Sequence, residues 1–413
     1  MTERRVAPPP SATPPLVALT GALAFAAGTV LVLLAHWSPE RRLLAGGLIL
    51  GCTALALVLT DVLAFAVHRR PSTGLDFSRR SPSLARTVVK TIGLAGTLAI
   101  IAVGYWLLPE YAGPFYADYF AALRLLVWPA ALLAPLYIHF VDRHQTQPFD
   151  GYYQAGLVCC GRWSALDRAV LTQHALGWLI KAFFLPLMFT YFIDDTRRLL
   201  LANHPPPTGF AEFYSLAYDA LYFADVGLVS MGYVLSLRVI DTHLRSAEST
   251  LLGWLVALVC YEPFWSLIGD RYLAYGRGPT WGMWLYARPL AYTLWGSAIL
   301  VLTGIYVWAT FSFGARFSNL THRGIITSGP YRYVKHPAYL AKNLSWWMIS
   351  VPFLVQDSPG TALQRSAMLL GVNLIYVARA LTEERHLGQD PVYRDYAAFL
   401  DRHGWLRLGG RSL

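Results

Sequence analysis

Long apolar runs recur along the chain, and short polar segments that carry most of the charged residues separate them. A helix needs about 20 apolar residues to cross the roughly 30 Å hydrocarbon core of a membrane. By that measure the sequence predicts ten transmembrane helices, near residues 15–36, 43–67, 88–108, 117–141, 169–193, 213–237, 250–268, 287–312, 340–356 and 361–380. We therefore expect an all-α polytopic integral membrane protein.

Composition agrees with this class and indicates an orientation. Hydrophobic residues make up 55% of the chain and charged residues only 14%, whereas soluble domains carry about 25% charged residues. The excess of Lys and Arg over Asp and Glu gives a net charge of +10. These basic residues lie mainly in short loops between apolar runs, so we expect no nucleic-acid binding. With a cytoplasmic N-terminus, cytoplasmic segments hold about three times as many Lys and Arg residues as external loops, which predicts that both termini are cytoplasmic.

The pattern divides the chain into three parts. Residues 1–14 are rich in proline and are predicted to form a disordered tail. Residues 15–285 are predicted to form an N-terminal helix bundle of unknown role, and residues 286–413 hold two polar motifs. The cysteines contain no C-x-x-C pair, so neither a zinc site nor a disulfide framework is predicted. They are Cys52, Cys159, Cys160 and Cys260.

The two polar motifs flank the last two predicted spans. Residues 321–339, THRGIITSGPYRYVKHPAY, are punctuated by Gly and Pro, which is typical of a surface loop, and Pro337 suits the first turn of a following helix. The second motif begins with Arg379 and Glu383. These side chains are four residues apart, so they share one face at the cytoplasmic end of the last span.

Together the motifs resemble the isoprenylcysteine carboxyl methyltransferase family and its wider relatives, including phospholipid N-methyltransferases. Those proteins carry a G-x-Y-x-x-x-R-H-P-x-Y stretch and a later pair of glutamates. The corresponding residues are 329–331, 336–339, Glu383 and Glu384, and the resemblance covers about residues 310–405.

The chain departs from the family pattern at two places. Lys335 stands where Arg is common, and Lys cannot copy the planar bidentate fork of Arg. Ala341 and Lys342 stand where Gly commonly follows the tyrosine.

The resemblance implies an S-adenosylmethionine-dependent methyltransferase whose cofactor pocket opens to the cytoplasm. The backbone at the adenosine end would come from Arg323, Gly324, Ile325 and Ile326. Other cofactor contacts would come from Tyr331, His336, Pro337, Ala338 and Tyr339, and Glu383 would pair with the methionine ammonium. Arg379 would point at the substrate, and His336 and Tyr339 are the nearest candidates for a base.

The chemistry of the cofactor suits these residue types. A glutamate can pair with the ammonium group, and aromatic rings can pack against the adenine or the sulfonium. Helix-terminal N–H groups can donate hydrogen bonds to the carboxylate. Because the methyl group is already activated, catalysis can consist mainly of positioning and desolvation. No metal is predicted.

A cofactor site beside a membrane bundle suits an acceptor that arrives from the bilayer. We therefore expect membrane lipids and an amphiphilic methyl acceptor as partners, with a prenylated cysteine carboxylate or another lipid-borne carboxylate first. A lipid amine, a lipid phosphate or a thiol stays open. The expected location is the inner (plasma) membrane of a bacterium, with the active site facing the cytoplasm.

The N-terminal spans contain charged residues that are costly in a membrane unless they are paired or wet. They are Asp61, Arg124, Lys181, Asp219, Asp225 and Glu262. Two interpretations are open: these residues form internal ion pairs that stabilise the fold, or they line a substrate cavity. The second motivates an alternative function, a transporter or sensor with a degenerate methyltransferase-like C-terminal domain. A haem protein is a third hypothesis, resting only on histidines such as His68 and His174. The set His139, Asp142 and His144 follows no recognised ligand pattern.

Overall fold

Helices form almost all of the regular structure. The structure is a computed structural model, and it describes residues 7–78, 80–201, 206–356 and 358–405. The helices are α1 Pro15–Leu34, α2 Arg42–Leu59, α3 Leu84–Leu107, α4 Ala117–His144, α5 Gly151–Cys159, α6 Arg168–Leu201, α7 Phe210–Val234, α8 Leu251–Leu258, α9 Asp270–Tyr272, α10 Trp281–Leu285, α11 Pro289–Ser312, α12 Pro337–Ser350, α13 Pro359–Leu387 and α14 Pro391–His403. Two short strands, β1 Ser246–Ala247 and β2 Thr321–His322, pair antiparallel.

Within the described residues, six helices are long and apolar enough to cross a membrane. They span Pro15–Leu34, Pro39–Ala64, Leu84–Leu107, Pro114–His144, Arg168–Leu201 and Pro289–Ser312. Large apolar side chains are exposed on these helices, for example Trp106 and Trp128, as expected where lipid replaces water. The predicted all-α fold with several membrane-long apolar helices is therefore confirmed, whereas ten spans and the cytoplasmic location of the termini are not.

Two predicted spans are not membrane-long helices. The run at 250–268 is interrupted, because α8 ends at Leu258 and a turn containing Pro263 follows; proline lacks the N–H that a continuous helix requires. In the run at 340–356, α12 has only 14 residues. At 1.5 Å per residue, that length is too short to cross a 30 Å core.

Close packing in the bundle depends on small residues. A Cβ on Gly93 of α3 would lie 2.0 Å from the carbonyl oxygen of Tyr152, and one on Gly156 of α5 would lie 2.0 Å from that of Val89. Because no side chain fits at either position, the backbones of α3 and α5 approach each other directly.

Residues 7–14, part of the tail for which the sequence predicts disorder, contact the loop between α11 and α12; residues 1–6 lie outside the described residues. The Thr327 hydroxyl donates to the carbonyl of Pro9 at 2.7 Å. Thr13 is fully buried, where its hydroxyl donates to the carbonyl of Phe313 at 2.9 Å and accepts from Arg316 at 3.1 Å. A proline-rich segment is pre-extended, so it loses little entropy when it docks against backbone groups of a loop.

Candidate functional site

One cavity lies where α11, α12, α13 and α14 meet the loop between α11 and α12. The space between its walls is about 1310 Å³ and is partly open to solvent. Ten predicted site residues line it: Arg323, Gly324, Ile325, Ile326, Tyr331, His336, Ala338, Tyr339, Arg379 and Glu383. The eleventh, Pro337, is buried in the first turn of α12. The structure brings the predicted residues together, and their individual roles stay predictions.

Arg323 anchors the loop that forms one wall. Its guanidinium donates to the carbonyls of Thr242 and Gly232, both at 2.6 Å, and to those of Phe317 at 2.9 Å and Leu235 at 3.1 Å. Burial, reinforced by a neighbouring arginine, lowers the pKa of Arg323 to about 9. The side chain therefore ties the loop to the end of α7, and Gly324, Ile325 and Ile326, which follow it, line the cavity.

The N-terminal segment covers the outer side of this loop. Gly324 has φ of +116°, and a Cβ there would lie 2.6 Å from Cβ of Ala12. The Ala12 N–H donates to the carbonyl of Ile325 at 2.8 Å, and the Thr327 N–H donates to the Ser11 hydroxyl at 3.2 Å. The loop that is predicted to hold adenosine is therefore fixed from both sides.

Helix α14 supports the other end of the loop. The Tyr396 hydroxyl donates to the carbonyl of Tyr331 at 2.6 Å. Ile325 packs in one apolar cluster with Tyr393, Tyr396 and Phe399. Helix α14 thus supports Tyr331, the aromatic residue that is predicted to pack beside the cofactor.

Carboxylates gather at the cavity mouth, at the end of α13. The Tyr339 hydroxyl donates to Glu383, whose side chain is 33% exposed. His336 Nε2 lies 3.0 Å from Glu384, and its Nδ1 lies 3.7 Å from Glu383. Partial burial raises the pKa of Glu384, but the hydrogen bond from His336 and the charges of His336 and Lys335 outweigh burial and leave that pKa below its usual value. Both His336 nitrogens face carboxylates, which favours a holding role over that of a free base.

A buried cation occupies the inner end of the cavity. The Arg379 guanidinium lies 5.7, 5.1 and 5.2 Å from the ring centres of Tyr261, Tyr339 and Tyr376. It donates to the Asn319 side-chain oxygen at 3.3 Å, and its Nε lacks a hydrogen-bond partner. Among the described residues, no Asp or Glu oxygen lies within 4.0 Å of it, although it is only 4% exposed. Such a site is electrostatically prepared for an anion.

A second cation lines the same end. The Lys342 ammonium lies 4.9 Å from the centre of the Tyr306 ring and 5.4 Å from that of Trp346. Tyr306 also donates to the buried carboxylate of Asp225, as does Thr310 at 2.6 Å. The hydroxyl donors satisfy Asp225, and no carboxylate of the described residues lies within 4.0 Å of the Lys342 ammonium.

Sequence inspection did not find every residue of this site. In the sequence, Lys342 is a departure from the family pattern and Asp225 a charge inside a predicted span, and neither position predicts a role at this cavity. Asn319 carries no pattern signal, yet its amide donates to the Tyr261 hydroxyl at 3.1 Å while its oxygen accepts from Arg379.

The inner cations and the outer carboxylates lie on helices within one continuous stretch of the chain, from α11 to α13. Residues 290–389 match the model of the isoprenylcysteine carboxyl methyltransferase (ICMT) family. The resemblance in the two motifs is thereby confirmed for the C-terminal part of the chain. The match covers α11, α12 and α13 and ends before α14. No curated protein and no solved structure matches the chain.

Proposed function

We propose that the protein transfers the methyl group of S-adenosylmethionine to the carboxylate of a membrane-borne acceptor. One observation carries the proposal: within the ICMT-matched segment, one cavity has carboxylates at its mouth and an unpaired, buried arginine at its inner end. Tyr339 joins the two ends, because its hydroxyl donates to Glu383 while its ring contacts Arg379.

The cofactor fits the outer part of this arrangement. Glu383 would bind the methionine ammonium. Among the described residues its carboxylate accepts a hydrogen bond from Tyr339 and lies 3.7 Å from His336, and its side chain is 33% exposed. The backbone around Gly324 would hold adenosine, and Tyr331 would pack beside it. Bound S-adenosylmethionine supplies an activated methyl group, so the chain need only hold both partners in line and exclude water.

The acceptor fits the inner part. Arg379 and the partly buried Lys342 would hold an anionic group, with the tyrosine rings of the cavity excluding water around it. A carboxylate is already a nucleophile, so it needs no base, which agrees with the engagement of both His336 nitrogens by glutamates. A protonated amine would be repelled by the two cations, so the site favours a carboxylate over a lipid amine.

The surroundings support an acceptor that comes from the bilayer. α11, which forms one wall, is among the membrane-long helices. A prenylated cysteine carboxylate or a similar lipid acid is the class we propose, with the bacterial plasma membrane as the location and the cavity mouth facing the cytoplasm. The transporter or sensor alternative gains no support from these residues, because the predicted methyltransferase residues all gather at one cavity.

The acceptor chemistry can be tested with methyl-labelled S-adenosylmethionine. Full-length protein in detergent would be supplied with an N-acylated S-prenylcysteine or with extracted membrane lipids. A methyl ester releases volatile labelled methanol in alkali, whereas N-methyl and S-methyl products keep their label. Alkali-labile product from the wild type supports the proposal, and product that survives alkali overturns the carboxylate assignment while retaining methyl transfer.

A further inference from the structure

A second cavity lies in the N-terminal bundle, outside the segment that matches the ICMT family. Its walls come from α3, α4, α5, α6 and the loop 235–245. The space between them is about 1730 Å³ and is partly open, so this cavity is at least as large as the methyltransferase cavity.

Cations dominate its walls. Lys90, Lys181, Arg238 and Arg245 line the cavity, and Asp150 is the one acidic side chain among the described residues that line it. Two of the cations are already paired. The Lys90 ammonium lies 2.9 Å from Asp142 and 3.2 Å from Asp150, and Arg245 lies 3.3 Å from Asp241.

Arg238 is fixed in place without being neutralised. Its guanidinium donates to the carbonyl of Thr73 at 2.9 Å and to Nε2 of His243 at 3.3 Å. Its backbone N–H donates to the Tyr137 hydroxyl at 2.9 Å. Burial, followed by the charges of Arg238 and Arg245, lowers the pKa of His243 to about 2, so this neighbour is neutral and accepts the hydrogen bond. No carboxylate of the described residues lies within 4.0 Å of Arg238.

Lys181 is the second cation without an acidic partner. It lies on the membrane-long helix α6, and its ammonium is 5.1 Å from the centre of the Trp178 ring. No hydrogen bond or ion pair engages this ammonium within the described part of the chain. A charge inside a span is costly unless something pairs with it. The same wall carries the rings of Tyr152 and Trp178.

We propose that this cavity binds the anionic headgroup, phosphate or carboxylate, of a membrane lipid. Arg238 and Lys181, which have no acidic partner among the described residues, supply charge and hydrogen bonds for the headgroup. The aromatic side chains of a wall built from membrane helices suit the start of an acyl chain. The site is separate from methyl transfer and stands whether or not the proposed methyltransferase function holds.

Lipid binding to the full-length, detergent-purified protein tests this inference. The probe is phosphatidylglycerol, titrated and counted by native mass spectrometry, with phosphatidylcholine as the neutral comparison. Lys181→Met should weaken phosphatidylglycerol binding about ten- to hundredfold, the loss expected for one charge-assisted contact. The matched control is Arg124→Gln, because Arg124 is an exposed cation of α4 that, among the described residues, donates a hydrogen bond only to the Phe120 carbonyl of its own helix. This control should change binding less than about twofold.

Further measurements distinguish a loss of binding from a loss of folding, and a lipid headgroup from free phosphate. Lys181 makes no hydrogen bond that the substitution would remove, so thermal unfolding and S-adenosylmethionine binding should stay at wild-type values. Arg238→Gln should reproduce the loss as a second variant. Equal phosphatidylglycerol affinity in wild type and Lys181→Met overturns the site. Competition by millimolar inorganic phosphate overturns the lipid as its source, and failure of phosphate to compete supports it.

Discussion

Replacing Arg379 by Met should separate activity from stability. Methionine fills the space among the three tyrosine rings but removes the positive charge. Contacts with three rings contribute about 0.5–1 kcal/mol each, and the hydrogen bond to Asn319 contributes about 1 kcal/mol. Burying the charge costs several kcal/mol, which offsets these gains. The free energy of unfolding should therefore change by less than about 2 kcal/mol, whereas breaking a buried ion pair costs about 3–5 kcal/mol.

Activity should respond much more strongly. An acceptor carboxylate that loses a charge-assisted, bidentate partner loses about 2–4 kcal/mol, which corresponds to a roughly 30- to 1000-fold fall in kcat/KM. Arg379→Lys keeps the charge but not the fork, so it should lie between Met and wild type. The affinity for S-adenosylmethionine should stay within about threefold, because Arg379 is assigned to the acceptor.

The assay combines alkali-labile methyl transfer, calorimetric cofactor binding and thermal unfolding on the same preparations. Wild-type activity in Arg379→Met would refute the assignment of Arg379 to the acceptor. A loss of activity accompanied by loss of cofactor binding and by severe destabilisation would show that Arg379 is a structural residue.

Three further predictions concern the loop and its surroundings. Deleting residues 1–12 removes the hydrogen bond to Ile325 and should weaken calorimetric S-adenosylmethionine binding about tenfold; unchanged affinity would contradict a supporting role. Gly324→Ala should lower both stability and cofactor affinity because of the positive φ and the clash, whereas the control Gly304→Ala, which has open space, should not; equal effects would contradict this. Burial and a nearby guanidinium lower the pKa of His322 to about 4. The unfolded state of His322 therefore binds more protons between about pH 6.5 and 4. The contribution of His322 to stability, measured by thermal unfolding, should fall by up to about 3 kcal/mol as pH drops through that window.

The apolar pattern predicts helices well where burial in lipid decides the structure. Spans such as 15–36 and 287–312 correspond closely to Pro15–Leu34 and Pro289–Ser312. The pattern fails where backbone hydrogen bonding ends a helix within an apolar run, as at Pro263 in the run at 250–268. It also ends the last span at residue 380, whereas α13 continues to Leu387, because a hydropathy window cannot follow a helix into polar surroundings.

The candidate site was predictable as far as it is local in sequence. Residues of the two motifs carry recognisable spacing, so their meeting at one cavity could be expected. Contacts between distant segments could not, because nothing in the sequence near Thr13 indicates a hydrogen bond to Phe313, 300 residues away. The same holds for Asn319, which contacts Arg379 from another element.

The central claim is that the cavity binds S-adenosylmethionine through Glu383. The most direct test is calorimetric titration of the detergent-purified wild type and of Glu383→Gln, which keeps the side-chain shape but removes the charge. We predict saturable binding by the wild type and a loss of at least about tenfold in the variant, since a charged partner of the ammonium contributes about 1.5–3 kcal/mol. A folded wild type that does not bind S-adenosylmethionine, or a variant that binds it equally well, would contradict the account.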